Sequence, residues 1–464
     1  MAYQSWRQYQ QQIHTSNLNK KQPALFIKPK KSKKFLKFFS LTIIFFLILI
    51  VVEGLVSTAR FSNNVEYNIN FNKDISYDFN DIGLIKQEKK LWSKQDVKSN
   101  FPDLSFLNNI KNEVTIKKDE EKYIVKTSLN SSLQEYMLKK LRRSNTRNMG
   151  LVIMEPDSGR ILSMIGYNKF SDEINPCIEK SFPAASIFKI ITAAAAIEIC
   201  GMDPKTELYF NGRKHTLYKR QLREKKNKYT NKITLKDSFA QSVNPVFGKI
   251  GALYLGKNVI DEYASGFAFN KEINFELPVC TSVINVTEKP YQQAEIASGF
   301  NRNTQISPLH GALISCAILN NGNMPEPTII DKIVNDNGDI VYKNEYLTIN
   351  QAISPKTCDK MKILMEETVK SGTVKKAFRR AKRDKILKRL NIGGKTGSIN
   401  SNTHNVRYDW FVGFAEEKNG ANKVAISVIV AHDKYIGIRS FQYARYAFRK
   451  YFQDIEKDNN YAKR

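Results

Sequence analysis

The chain has 464 residues, 42% hydrophobic and 25% charged, which excludes a disordered polymer and leaves room for two or three domains. Its formal net charge of +28 points to an anionic partner, and charge alone does not choose among nucleic acid, acidic lipid and wall polymer. Five dispersed cysteines (Cys177, Cys200, Cys280, Cys316, Cys358) without a C-x-x-C pair, and five histidines without helical pairing, argue against a disulfide framework or a metal site.

Residues 1–37 are basic (Arg7, Lys20, Lys21, Lys28, Lys30, Lys31, Lys33, Lys34, Lys37) and hold no Asp or Glu. An apolar run follows over 38–52. Counted over 35–56, with Lys37 and Glu53 reaching the interfaces, it meets the ~20 residues that a membrane span needs. The basic flank keeps the N-terminus in the cytoplasm and puts everything after residue 56 across the membrane. Ser57-Thr58-Ala59 offers a signal-peptide cleavage site, but so long a basic leader favours an uncleaved single-pass anchor. The expected division is a basic cytoplasmic tail (1–37), an anchor (38–56), a juxtamembrane stalk or small pedestal rich in Asn, Lys and Asp (57–120), a main domain (121–455) and a tail (456–464).

In the main domain, Leu129, Leu133, Met137 and Leu141 recur every four residues and predict a helix over 128–141. Segments 151–154 and 161–165 flank the turn sequence Pro156-Asp157-Ser158-Gly159 and predict a hairpin. Residues 186–200 are apolar and Ala-rich, hence a buried helix, and 234–241 reads as a short one. Ser307 as N-cap, Pro308 after it and Gly322 past the end bracket a helix over 307–320. A helix over 358–369 ends with Gly372 as its C-terminal cap. Strands follow at 410–415 and 424–431, and 441–452 is helical. This order predicts an α+β domain, with one antiparallel sheet formed by both chain ends around a mostly helical lobe.

Ser186-Ile187-Phe188-Lys189 sets a hydroxyl and an amine three residues apart, on one face of a helix. Serine is a weak nucleophile until a base takes its proton. An apolar setting, here Phe188, Ile190, Ile191 and Ala193-Ala194-Ala195-Ala196, makes a lysine usable as that base. The blander reading is a lysine at a helix margin with its amine in water, yet a lysine inside so apolar a helix is unusual without a task. Ser242-Val243-Asn244 offers a second hydroxyl for proton relay and an amide to hold a substrate peptide bond; the pattern is weak alone and recurs at Ser62, Ser128 and Ser398. Lys395-Thr396-Gly397-Ser398, after Asn391-Ile392-Gly393-Gly394, brings a cation and two hydroxyls to a strand edge, suited to a carboxylate, with glycine where a substrate backbone approaches. The similar Lys370-Ser371-Gly372-Thr373 reads as a decoy at a helix end.

The order S-x-x-K, S-x-N, K-T-G, with spacings 242 − 186 = 56 and 395 − 242 = 153, resembles the penicillin-binding protein and serine β-lactamase superfamily. Similar too are Thr127-Ser128-Leu129-Asn130, the Asp157-Ser158-Gly159-Arg160-Ile161 hairpin, Phe182-Pro183-Ala184-Ala185, Gly299-Phe300-Asn301 with Ile306-Ser307-Pro308-Leu309, and Trp410-Phe411-Val412-Gly413-Phe414, so the resemblance covers residues 120–455. It implies a penicillin-binding/transpeptidase-like fold and a monofunctional peptidoglycan D,D-transpeptidase that needs no metal or cofactor. By resemblance Ser186 would be the acylated nucleophile, Lys189 its base and Ser242 the onward proton carrier, with Asn244 holding the donor peptide. Lys395, Thr396 and Ser398 would bind the terminal carboxylate of a D-Ala-D-Ala stem, Gly397 leaving room for its backbone. The N–H groups of Ser186 and Ser398 would form an oxyanion hole, where one lost donor costs about 10²–10³ in rate.

Within that superfamily a class A β-lactamase would carry a deacylating glutamate in an E-x-x-L-N loop between the second and third motifs. The nearest echo, Glu207-Leu208-Tyr209-Phe210-Asn211, precedes Ser242. Residues 57–120 are too few for a glycan polymerase domain, so a separate polymerase of the membrane-embedded SEDS type is an expected partner, beside the cytoplasmic membrane and β-lactam antibiotics as inhibitors. A D-alanyl-D-alanine carboxypeptidase is an alternative, because water and an amine attack the same acyl-enzyme. A non-catalytic penicillin sensor or cell-wall scaffold is the alternative of another class, disfavoured by three intact motifs. Nucleic acid is not expected: the basic stretches 214–232 and 375–389 fit no recognition motif, and they read first as a solvated surface, with anionic lipid or wall polymer as the alternative they could face.

Overall fold

The computed structural model describes residues 91–101, 112–118, 120–179, 181–402 and 405–461. The expected tail (1–37) and anchor (38–56) lie outside the described residues, as does most of the expected stalk. Among the described residues no helix is long and apolar enough to cross a membrane.

Helix α1 (Lys94–Asn100), capped by Ser93, precedes a hairpin of β1 (Glu113–Lys118) and β2 (Glu121–Thr127). Next come α2 (Ser131–Lys140), β3 (Thr146–Met154) and β4 (Ile161–Asn168). The short β5 (Phe182–Pro183) leads into a 3₁₀ turn (Ala185–Phe188) and α3 (Lys189–Ile199). A helical lobe follows: the β6 (Glu207–Phe210) and β7 (Asn231–Thr234) ribbon, then α4 (Leu235–Ala240), α5 (Asn244–Lys249), a π-helical turn (Ile250–Leu255), α6 (Gly256–Gly266) and α7 (Pro290–Ser298). Then come β8 (Gln305–Ile306), α8 (Pro308–Leu319), β9 (Asn323–Pro325), β10 (Ile330–Asn335), β11 (Ile340–Lys343) and β12 (Thr348–Gln351). Helices α9 (Pro355–Lys370) and α10 (Lys375–Phe378), strands β13 (Leu390–Asn400), β14 (Arg407–Glu417) and β15 (Lys423–His432), and α11 (Ser440–Tyr461) finish the chain.

The central sheet has the order β13-β14-β15-β3-β4 and is antiparallel throughout, so early and late strands do close one sheet. Side chains alternate between its faces with period two. Trp410, Val412 and Phe414 enter the core cluster shared with α3 and α8, while Phe411 and Ala415 enter the one shared with α2 and α11. Both faces are covered, which is why β15 is buried from Val424 to His432 and reads over 424–431 as an apolar run broken only by Ser427. Truncating a fully buried ring such as Phe411 to alanine costs about 3–5 kcal/mol.

Several boundaries differ from expectation. Helix α2 starts at Ser131 because the Asn130 side chain caps the Leu133 N–H, leaving Leu129 in the core but outside the helix. Helix α9 closes on Ser371, not through a left-handed Gly372: a Cβ on Gly372 would lie 2.4 Å from the Ala240 carbonyl oxygen, so this glycine permits close packing on α4. The division expected at residue 120 falls inside the β1–β2 hairpin, since β2 is also paired with β10 in the sheet β1-β2-β10-β11. Helix α11 runs to Tyr461, through most of the expected tail.

Candidate active site

The helix expected over 186–200 begins as a 3₁₀ turn, entered through Ala185 at φ 48°. In a 3₁₀ turn residues i and i+3 eclipse. Lys189, the first residue of α3, therefore sits under Ser186, its Nζ 2.9 Å from Oγ. Nζ also donates to Asn244 Oδ1 at 2.8 Å and to the Ser298 carbonyl. Those two partners can only accept, so a neutral amine would spend both its N–H bonds on them and turn its lone pair toward Ser186. Lys189 is 0% exposed and forms no ion pair with a carboxylate among the described residues. Burial, and then the nearby Lys395 ammonium, push its pKa well below the ordinary lysine value. Ser186 itself is only half-buried, within reach of a substrate.

Ser242 lies between α4 and α5 in a left-handed conformation, φ 57°. Its Oγ accepts from Lys395 Nζ at 3.0 Å, and Nζ also donates to the Thr396 carbonyl at 2.9 Å. Lys395 is fully buried, which lowers its pKa to about 7. The Asn244 amide is occupied at both ends, Oδ1 by Lys189 and Nδ2 by the His215 carbonyl at 3.1 Å. In this arrangement Asn244 orients Lys189, and its amide keeps a second N–H and a second lone pair.

Strand β13 is the sheet edge beside the 3₁₀ turn. A Cβ on Gly397 would meet Ser186 N at 3.2 Å, so this residue lets the strand lie against the Ser186 amide. Ser398 is exposed, with its Oγ donating to Asp409 Oδ1 at 3.2 Å. Thr396 Oγ1 is 2.7 Å from Thr373 Oγ1. On the other side of the turn Gly299 (φ 65°) packs on the Ala185 carbonyl, where a Cβ would come within 1.8 Å. Of the eight residues singled out in the sequence, Ser186, Lys189 and Asn244 form one hydrogen-bonded chain, Ser242 and Lys395 a second, and Gly397 sets β13, with Thr396 and Ser398 on either side of it, against the Ser186 amide. What the sequence did not reveal are the Ser298 carbonyl, His215, Thr373 and Asp409.

A family model described as the penicillin binding protein transpeptidase domain matches residues 149–451. The chain belongs to the penicillin-binding protein transpeptidase family. This family member is 25% identical over 347 residues to stage V sporulation protein D of Bacillus subtilis (strain 168), covering 68% of this chain and 50% of that protein. It is 22% identical to peptidoglycan D,D-transpeptidase PbpA of Mycolicibacterium smegmatis, covering 60% of this chain and 61% of the relative. The chain thus spans half to three-fifths of the curated relatives it matches. Its fold is that of the D,D-transpeptidase domain of a peptidoglycan glycosyltransferase from Eggerthella lenta, at TM-score 0.60 and 22% identity over 77% of this chain and 86% of that one. It is likewise that of penicillin-binding protein A of Mycobacterium tuberculosis in a penicillin G acyl-enzyme complex, at TM-score 0.57 and 20% identity over 70% of this chain and 80% of that one.

Proposed function

We propose that this chain is a monofunctional peptidoglycan D,D-transpeptidase working through an acyl-Ser186 intermediate. The observation that carries the reading is the buried Lys189 amine, without a carboxylate partner among the described residues, 2.9 Å from Ser186 Oγ. Neutral Lys189 takes the Ser186 proton as Oγ attacks the penultimate D-Ala carbonyl carbon. The N–H groups of Ser186 and Ser398 hold the oxyanion, and Lys395, Thr396 and Ser398 face the terminal carboxylate. The amide C–N bond breaks, the terminal D-Ala leaves as an amine after receiving a proton through Ser242, and the ester stays on Ser186. An acceptor amine then attacks the ester carbon, a new amide forms, and Ser186 Oγ regains its proton.

Two relatives support this reading by their names, a peptidoglycan D,D-transpeptidase and a penicillin-binding protein that forms acyl-enzymes with penicillin G. The basic leader and apolar run support a single-pass anchor over 38–56, with the N-terminus in the cytoplasm and Ser186 outside the cytoplasmic membrane. Glycan strands would come from a separate polymerase of the SEDS type.

The test is intact mass of the full chain over time with fluorescent penicillin, beside Ser186→Ala. One stoichiometric adduct that persists on the native chain and is missing from the variant supports the reading. Rapid penicillin turnover would place the chain with the hydrolases, and no adduct on a folded protein would end the acyl-serine mechanism.

A further inference from the structure

Residues 213–228, the loop between β6 and β7, are not used by the reaction above. Eight of these sixteen residues are Lys or Arg and one, Glu224, is acidic. All eight cations are exposed, and none is in an ion pair among the described residues. Glu224 is engaged by the Tyr254 hydroxyl at 3.0 Å, and the nearest ion pair along the chain, Lys232 with Glu207, lies outside the loop. Like charges gathered this way repel one another, so the arrangement works against folding unless an anion relieves it.

The loop displays these charges from a fixed frame. Buried Gln221 donates to the Asn211 carbonyl at 2.8 Å and accepts the Tyr218 N–H at 2.9 Å. Leu217 is buried against Ala252 and Ala294, its carbonyl held by the Tyr291 hydroxyl at 2.9 Å. The frame is rooted in the active site. The Lys214 carbonyl accepts the Asn244 N–H at 2.7 Å, and the His215 carbonyl holds the Asn244 side chain. His215, itself in the loop, lies close enough to both active-site amines that, after burial, the charges of Lys189 and Lys395, with Lys214, lower its pKa. Beside the loop, a cleft of about 400 Å³ is lined by Lys214, Lys232, Glu207, Asp237, Thr234 and Gln241, the residue before Ser242 in the chain. Lys232 is paired with Glu207, which leaves Lys214 as the cation of its wall without an ion pair among the described residues. Tyr218 and Tyr229 stand among the cations, 53% and 74% exposed, with Arg220 and Lys228 over one face of each.

We propose that loop 213–228 and its cleft bind the peptidoglycan strand that brings the acceptor amine, a substrate assignment that rests on the transpeptidase reading. The stem carboxylates of that strand pair with the loop cations, and its sugar rings rest on the open faces of Tyr218 and Tyr229. A phosphodiester polymer or an acidic bilayer would meet the charge equally well. Attachment to the Ser242–Asn244 turn favours a peptidoglycan strand over those two, because stem peptides must reach Ser186, and with the donor's terminal carboxylate facing Lys395, Thr396 and Ser398 the loop is left to the acceptor strand.

The experiment compares the full chain with a Lys219→Glu/Arg220→Glu/Arg223→Glu variant. The probes are soluble uncross-linked peptidoglycan strands with free stem carboxylates, the same strands amidated, a wall phosphodiester polymer and anionic vesicles. The native chain should bind free-carboxylate strands, more weakly as salt rises, and the variant should lose about tenfold or more in affinity. Penicillin labelling of Ser186 should proceed at the same rate in both, which also verifies folding. Should labelling of the variant fall, Lys219→Gln/Arg220→Gln/Arg223→Gln takes its place. Equal strand binding by native chain and variant, equal binding of amidated strands, or a loss confined to the phosphodiester polymer or the vesicles would overturn the assignment. Failure of penicillin to label native Ser186 would instead remove the transpeptidase reading, while strand binding still reports on the loop.

Discussion

Asp409 accepts the Ser398 hydroxyl on Oδ1 at 3.2 Å and grips Arg439 through both oxygens, at 2.6 and 2.9 Å. Ser440 adds two further donors, at 2.9 and 3.0 Å. One carboxylate thus ties the last residue of the K-T-G-S segment to the start of α11. Burial alone would raise its pKa, but adjacent His432, Arg439 and Ser440 reverse the sign and hold it well below the usual carboxylate range. A depressed carboxylate stabilises the fold above its unfolded pKa of about 3.9, and the contribution fades as pH falls through the folded value. Asp409→Ala should cost about 3–5 kcal/mol at pH 7, because Arg439 is left without its partner. Thermal unfolding of both proteins from pH 7 to about pH 2 checks this. The gap should hold down to about pH 4 and narrow below it, and a gap that stays constant over the whole range would mean that the charge contributes nothing.

Lys189 must lose its proton to act as a base, so acylation by penicillin should rise with pH through its pKa. Arginine cannot lose its proton, and Lys189→Arg should slow acylation by about 10²–10⁴. The Lys395 charge is one cause of the low Lys189 pKa. Lys395→Met should therefore raise that pKa and move the acid limb of the rate profile to higher pH, whatever happens to its height. Stopped-flow labelling across pH measures both effects. An acid limb that stays in place would mean that the two amines do not interact.

The motif residues were legible because their chemistry is local: S-x-x-K needs only three residues of spacing to bring amine to hydroxyl. Even there, an apolar pattern fits a 3₁₀ turn and an α-helix alike, so the tighter geometry at Ser186 was not foreseeable. The Ser298 carbonyl that anchors Lys189 is main chain, and main chain leaves no mark on residue identity. Asp409 did leave one, as a charge inside the otherwise apolar strand 408–415, but linking it to Ser398 requires the β13–β14 register. The sheet was readable from its apolar runs. The β1–β2 hairpin was not, since its alternation of half-exposed residues is interrupted by lysines.

Thr373 belongs to the segment that looked like a decoy for K-T-G. Spacing along the chain gives no hint that 370–373 folds back against 396, yet the two threonine hydroxyls are 2.7 Å apart. Thr373→Val keeps the shape and removes one partner, a loss of about 1 kcal/mol. If the bond orients Thr396 toward a carboxylate, the variant should need about fivefold more penicillin for half-maximal labelling rate, with the limiting rate nearly unchanged. A fall in the limiting rate alone would place Thr373 with the proton-transfer groups.

Gly299 offers the sharpest steric test of the position of Ser186. Its φ of 65° already disfavours a side chain by about 1–2 kcal/mol. A Cβ there would also meet the Ala185 carbonyl oxygen at 1.8 Å and Ser186 N at 2.8 Å, both main-chain atoms with no rotamer to escape into. The 3₁₀ turn must move, and a displacement of about 1 Å at a reacting group can cost 10²-fold in rate. Gly299→Ala should therefore lower both thermal stability and acylation rate. Gly397→Ala presses on the same Ser186 amide from the other side, but at 3.2 Å and without a positive φ, so the strand needs to yield by only a few tenths of an ångström. It should melt close to the native protein while still acylating more slowly. Labelling rates and melting temperatures of the two variants decide the point: equal damage from both would mean that the turn is held by the lobe as a whole, not by contact with these two glycines.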